Sequence, residues 1–117
     1  MPEAEISYSK VTPIDGYGPG FFRIADQVIN GAILVLPSKV VTWGGYGDTG
    51  GIVATAPELD VMLIGTGADI AHLPPEFVTA LEGGGIGVEP MASPSACRLY
   101  NILLSEGRRI GCALLPV

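Results

Sequence analysis

The chain has 117 residues, enough for one domain with a real core and too few for a second. Apolar residues make up 48% and charged residues 15%, so burial can offset ordering entropy and disorder is excluded. Six Lys and Arg stand against twelve Asp and Glu, a net charge of -6, and only Arg108 and Arg109 are adjacent, which excludes a phosphate-backbone surface and with it nucleic acid.

At the start, Met1-Pro2-Glu3-Ala4-Glu5 has neither the basic nor the apolar region of an export signal, and no apolar run approaches the roughly 20 residues of a membrane span. The expectation is a cytoplasmic protein. Residues 6 to 11 alternate as a short strand with one wet face, and turn formers fill Pro13 to Gly20. Two β-rich runs follow, Phe21 to Ile24 and Val28 to Leu36, with turn candidates at Asp26-Gln27 and Asn30-Gly31, either of which gives an N-terminal hairpin. Pro37 breaks the ladder before a further short strand, Val40 to Trp43.

Residues 44 to 51 contain a literal GxGxxG at Gly45, Gly47 and Gly50. A pyrophosphate site would need a helix next, whereas Ile52-Val53-Ala54-Thr55-Ala56-Pro57 is β-like and soon stopped by proline, so a mobile loop is expected instead.

Val61 to Ile64 is a continuously apolar strand, buried on both faces, that ends in the turn Gly65-Thr66-Gly67. Pro74-Pro75-Glu76 opens a helix with Phe77, Val78 and Leu81 inward, and Gly83-Gly84-Gly85 stops it. After a strand over Ile86 to Pro90, Ser93 is expected to cap the last helix, with Pro94 in its first turn and Gly107 at its end. Ala96, Leu99, Tyr100, Leu103 and Leu104 form its apolar stripe, and Ile110 to Leu115 is a final strand. The sum is a single α/β domain: a central mixed β-sheet covered by at least two helices, with an N-terminal β-hairpin and a C-terminal βαβαβ unit.

Gly65-Thr66-Gly67, Gly85-Ile86-Gly87-Val88-Glu89 with Met91, Ala96-Cys97-Arg98 with Tyr100-Asn101, and Glu106-Gly107-Arg108-Arg109 together resemble a small family of largely unknown function. Its members include a mitochondrial respiratory complex I assembly factor and an adipogenesis-associated protein. Phe22-Arg23-Ile24, Val35-Leu36-Pro37 and Trp43 match as well, so the resemblance covers residues 13 to 116. It implies a three-layer α/β fold and, from the eukaryotic members, an assembly or regulatory role, and it carries no catalytic residue across.

The Gly65 turn and residues Pro90 to Ser93 both stand at carboxyl ends of predicted strands, and parallel neighbours would bring their loops to one crevice. Gly65, Thr66, Gly67, Glu89, Met91, Ser93 and Arg98 are the candidate ligand-binding residues there, with helix N–H groups receiving a small anionic ligand. The same turn and Ser-Pro start also serve crossover geometry alone. Arg98 can pair with Glu89, an ordinary surface ion pair, or meet an anion, while Glu89 as acid or base lacks an identified carboxylate partner.

Asn101, disfavoured inside a helix, is either exposed or tied to another segment, with fixing a loop favoured over substrate contact. Cys97 is either a thiol activated by the helix dipole or an inert buried one, and with Cys112 it makes too few cysteines for a disulfide framework. The one histidine, His72, has no evident reason to approach Cys97. No metal or cofactor is expected, for want of CxxC or HxxxH spacing.

Two functions follow as expectations. The first is a non-catalytic, assembly-factor-like module that binds a protein partner or a second copy of itself. The alternative is a small-molecule enzyme or ligand-binding protein using the crevice between Gly65–Gly67 and the Ser93 helix.

Overall fold

The computed structural model describes residues 5–7 and 12–117. Among the described residues nine strands and three α-helices follow in chain order: β1 (Glu5–Ser7), β2 (Ile14–Gly18), β3 (Phe21–Ile24), β4 (Gln27–Asn30), β5 (Ile33–Leu36), β6 (Lys39–Thr42), α1 (Gly50–Ala54), β7 (Val61–Thr66), α2 (Pro75–Gly83), β8 (Gly87–Met91), α3 (Ser93–Ser105) and β9 (Ile110–Leu115). Of the strand expected over residues 6 to 11, positions 8–11 lie outside the described residues.

Six strands form the central mixed sheet in the order β1-β6-β5-β9-β7-β8, parallel where β7 meets β8 and β9 and antiparallel elsewhere. Period-two alternation divides its side chains between two cores. Ile33, Val35, Leu63, Cys112 and Leu114 pack under Ala96, Cys97, Tyr100 and Leu104 of α3. Leu34, Leu36, Met62, Ile64 and Ala113 face the other way, against Ile52 of α1 and Phe77 and Leu81 of α2. Burying a side chain the size of Phe77 or Leu81 contributes roughly 1.5–3 kcal/mol, so α2 is held chiefly by that pair rather than by its nine-residue propensity.

The second sheet, β2-β3-β4, lies in the α3 layer, where Ile14, Phe22, Ile24 and Ile29 join the first core. The first turn falls one residue earlier than the Asp26-Gln27 candidate, and the Asn30-Gly31 candidate makes no hairpin. Ala25 and Asp26 turn β3 into β4 with φ of 52° and 60°, the left-handed pair that a two-residue hairpin demands. Gly31, at φ 84°, carries the chain out of that sheet, so the run Val28 to Leu36 is split between two sheets. Pro37 and Ser38 form the tight connection between β5 and β6, where no ladder N–H is required of a proline.

The glycine-rich stretch corrects two expectations. Residues Gly50–Ala54 are helical, because Ile52 is driven into the core beneath α2, and residues Ala56–Glu58 add a 3-10 turn. The loop before them is pinned rather than mobile: the Trp43 indole N–H donates to the Asp48 carbonyl at 3.0 Å, and the Gly44 N–H to the Asp48 carboxylate at 3.0 Å. Tyr46 meets Trp43 and Phe77 edge to face, and Trp43 and Phe77 lie tilted to one another.

Candidate functional site

From β7 the chain crosses to β8 through α2 on one face of the sheet. From β8 it returns past β7 to β9 through α3 on the other face. The carboxyl ends of β7 and β8 are therefore a topological switch point, and Gly65, Thr66, Gly67, Met91 and Ser93 do come together there.

The polar atoms at this junction are bonded to protein. Ser93 is the first residue of α3, behind the N-cap Ala92, and makes no cap hydrogen bond. Its buried hydroxyl instead donates to the Leu115 carbonyl at 2.6 Å and accepts the Gly67 N–H at 3.0 Å, while its own N–H donates to the Gly67 carbonyl at 2.8 Å. The expected cap is thus a rivet between helix and strand ends, since in the N1 position the side chain no longer reaches back over the first turn. Gly65 lies so close that a Cβ on it would stand 2.6 Å from the Ser93 hydroxyl and 2.9 Å from the Ser93 Cα. Thr66 organises the following loop: its hydroxyl donates to the Asp69 carbonyl at 2.7 Å, with the Met91 carbonyl a second acceptor at 3.2 Å, and accepts the Ala71 N–H at 3.0 Å.

Glu89 and Arg98 are exposed. The ion pair found among the described residues joins Arg109 and Asp60 at 2.6 Å instead, and the Arg109 guanidinium holds the exposed Asp60 carboxyl below its ordinary range. Asn101 does tie down another segment: its amide donates to the Ile14 carbonyl at 2.9 Å and its carbonyl accepts the Ile14 N–H at 2.8 Å, so a side chain stands in for a neighbouring strand beside β2.

Cys97 is buried and belongs to the apolar face of α3 with Ala96, Tyr100 and Leu104, while Leu99 and Leu103 are only partly buried, a rotation of the expected stripe. Burial pushes its thiol up to about 11, the reverse of dipole activation, and pushes Cys112 well above its ordinary value. At about pH 8 only one Cys97 thiol in roughly a thousand is then ionised. We expect iodoacetamide to leave both cysteines of the folded protein unmodified while a free thiol reacts fully, and to label both in concentrated guanidinium. Native labelling of Cys97, read by mass spectrometry, would contradict this assignment.

An open groove of about 520 Å³ lies beside the switch point, on the α2 side of β8. The loop after Thr66 gives it Ile70, Ala71, His72 and Leu73, α2 gives Val78 and Glu82, and β8 gives Val88 and Pro90. Ile70 is 67% exposed, an unusual position for a large aliphatic side chain. The sequence pattern placed Val78 inward, set Pro90 at the crevice beyond the strand ends and left Ile70 unmarked. The available signals were an isoleucine alone in a loop and a proline within a strand, which places that strand at a sheet edge. Among the described residues no cluster of three or more His, Cys, Asp or Glu could hold a metal ion, and no helix is long and apolar enough to cross a membrane.

Residues 14–115 match the model of a family described as protein of unknown function (DUF498/DUF598). An uncharacterised protein of Rhodobacter capsulatus is 49% identical over all of this chain and 94% of its own length. NADH dehydrogenase [ubiquinone] 1 alpha subcomplex assembly factor 3 of Mus musculus is 32% identical over 88% of this chain, which spans 60% of the mouse protein. The crystal structure of an outer membrane protein from Bartonella henselae superposes with a TM-score of 0.83 at 32% identity, covering 92% of this chain and 97% of that one.

Proposed function

This chain belongs to the DUF498/DUF598 family, and from that membership we propose that it is a non-catalytic, assembly-factor-like module that binds a protein partner through the groove between α2 and β8. The observation that carries the proposal is the groove itself, apolar in its lining and headed by the exposed Ile70. A large aliphatic side chain held in water by a loop that the Thr66 hydroxyl fixes through the Asp69 carbonyl and the Ala71 N–H is arranged for another surface. Likeness to the mouse assembly factor supports the same reading. The two free cysteines, both buried, agree with a reducing, cytoplasmic setting.

The test places a photoreactive amino acid at position 70 of the full chain in cells, with Glu106, exposed at the far end of α3, as the control position. We expect adducts with a defined protein from position 70 and none from position 106. Ile70→Ser should lower retention of that protein by the tagged chain without changing its melting temperature, because the side chain is mostly in water. Absence of an adduct, together with absence of any retained protein, would overturn the proposal.

A further inference from the structure

Resting on that reading, we infer that the occupant of the α2–β8 groove is a basic amphipathic helix of the partner protein, its apolar face on Ile70, Val78 and Val88 and its cations on the carboxylates around them. The charge pattern is the first argument. Residues 40–97 contain no Lys or Arg and seven acidic residues, Asp48, Glu58, Asp60, Asp69, Glu76, Glu82 and Glu89, and every residue lining the groove comes from this stretch. Arg109, from outside it, neutralises Asp60. Glu82 lines the groove and Asp69 immediately precedes Ile70, while Glu89 points to the α3 face of β8 with Met91 and takes no part. An anionic rim around an apolar floor favours a cationic partner and repels acidic ones, through electrostatic complementarity that sets specificity and association rate.

The same argument removes other occupants. A second copy of a chain with net charge -6 would bring like charge to this rim, and nucleic acid or an anionic lipid surface would do so more strongly.

The backbone of β8 decides the form of the occupant. β8 is an edge strand, open on one side to strand addition. The Gly87 N–H donates inward to the Asp60 carbonyl at 3.2 Å, and alternation then turns the main-chain groups of Glu89 and Met91 inward too and those of Val88 and Pro90 outward. Proline has no N–H to offer, so the outer edge of β8 presents the Val88 donor alone, and the Ile86 N–H is already spent on the Leu81 carbonyl. The outward carbonyls of Val88 and Pro90 can accept, but with one donor an added strand leaves its own carbonyls largely unpaired, so strand addition is disfavoured. The groove therefore recognises side chains from a segment that satisfies its own backbone, which is a helix in its groove.

The test titrates two synthetic helices of equal length and apolar face, one of leucine and lysine and one of leucine and glutamate, into the full isotopically labelled chain, followed by amide shifts. The lysine helix should perturb Ile70, Val78 and Val88 and bind at least ten times more tightly than the glutamate helix, with affinity falling as salt rises. E82K and D69K should each weaken it severalfold while leaving the melting temperature unchanged. Equal affinity for both helices in the groove would overturn the basic helix and leave the protein-docking reading standing. So would shifts confined to another face while position 70 still captures a protein in cells. A position-70 adduct with a second copy of the chain, or partner contacts that add a strand to β8, would also overturn the inference. Failure of both helices together with failure of capture would remove the docking reading as well.

Discussion

Ser93→Ala is expected to destabilise the protein by about 2–4 kcal/mol, although it deletes a single oxygen. The hydroxyl serves the Gly67 N–H and the Leu115 carbonyl at once, 26 and 22 residues away in sequence, and it is buried. Its loss strands the buried Gly67 N–H and the part-buried Leu115 carbonyl, and each such group costs roughly 1–3 kcal/mol. Urea unfolding should show a lower midpoint with an unchanged slope, as befits lost native contacts in an otherwise intact fold. A change of less than about 1 kcal/mol would mean that water or a neighbouring group takes over both partners.

Gly65→Ala is expected to cost about 3 kcal/mol or more, at the upper end of overpacking effects. The added methyl would stand 2.6 Å from the Leu114 Cδ2, 2.6 Å from the Ser93 hydroxyl and 2.9 Å from the Ser93 Cα. Leu114 can yield by rotating, but the Cα of Ser93 can yield only by moving the start of α3. Because one of the three contacts is the hydroxyl itself, Gly65→Ala combined with Ser93→Ala should cost less than the two single changes summed, by about 1 kcal/mol. Strict additivity in the same urea experiment would show that the two residues do not meet.

The strands and helices of the second half were legible because each carries its own local signal. Pro75 and Pro94 mark helix starts, Gly83 to Gly85 and Gly107 mark stops, and Val61 to Ile64 can only be a strand buried on both faces. α1 was not legible, since Ile52 and Val53 are β-branched and five residues hold too little propensity to outvote them, so burial of Ile52 decides. Nor was the division into two sheets. Four-residue alternating strands accept any partner, and what assigns β2 to the second sheet is an amide on residue 101 and a left-handed glycine at 31.

The candidate residues at the switch point were legible as neighbours, while the use of their atoms was not. Whether Ser93 caps its own helix or bonds to Leu115 depends on a one-residue difference in where α3 begins. The groove was harder still, because its wall combines a loop, a helix and an edge strand, each ordinary alone.

The position of β9 in the sheet bears on how the chain reaches this state. It lies between β5 and β7, yet follows both in sequence, and its pairing of Ile33 with Leu114 joins residues 81 apart. Until residues 110–115 insert, the sheet is two fragments, β1-β6-β5 and β7-β8, each with a bare edge where β9 belongs. Closing that gap spans most of the chain, so it is expected to be the slow event of folding, with both bare edges open meanwhile to pairing with other molecules. The strand that finishes the fold is therefore also the one whose delay exposes the chain to aggregation.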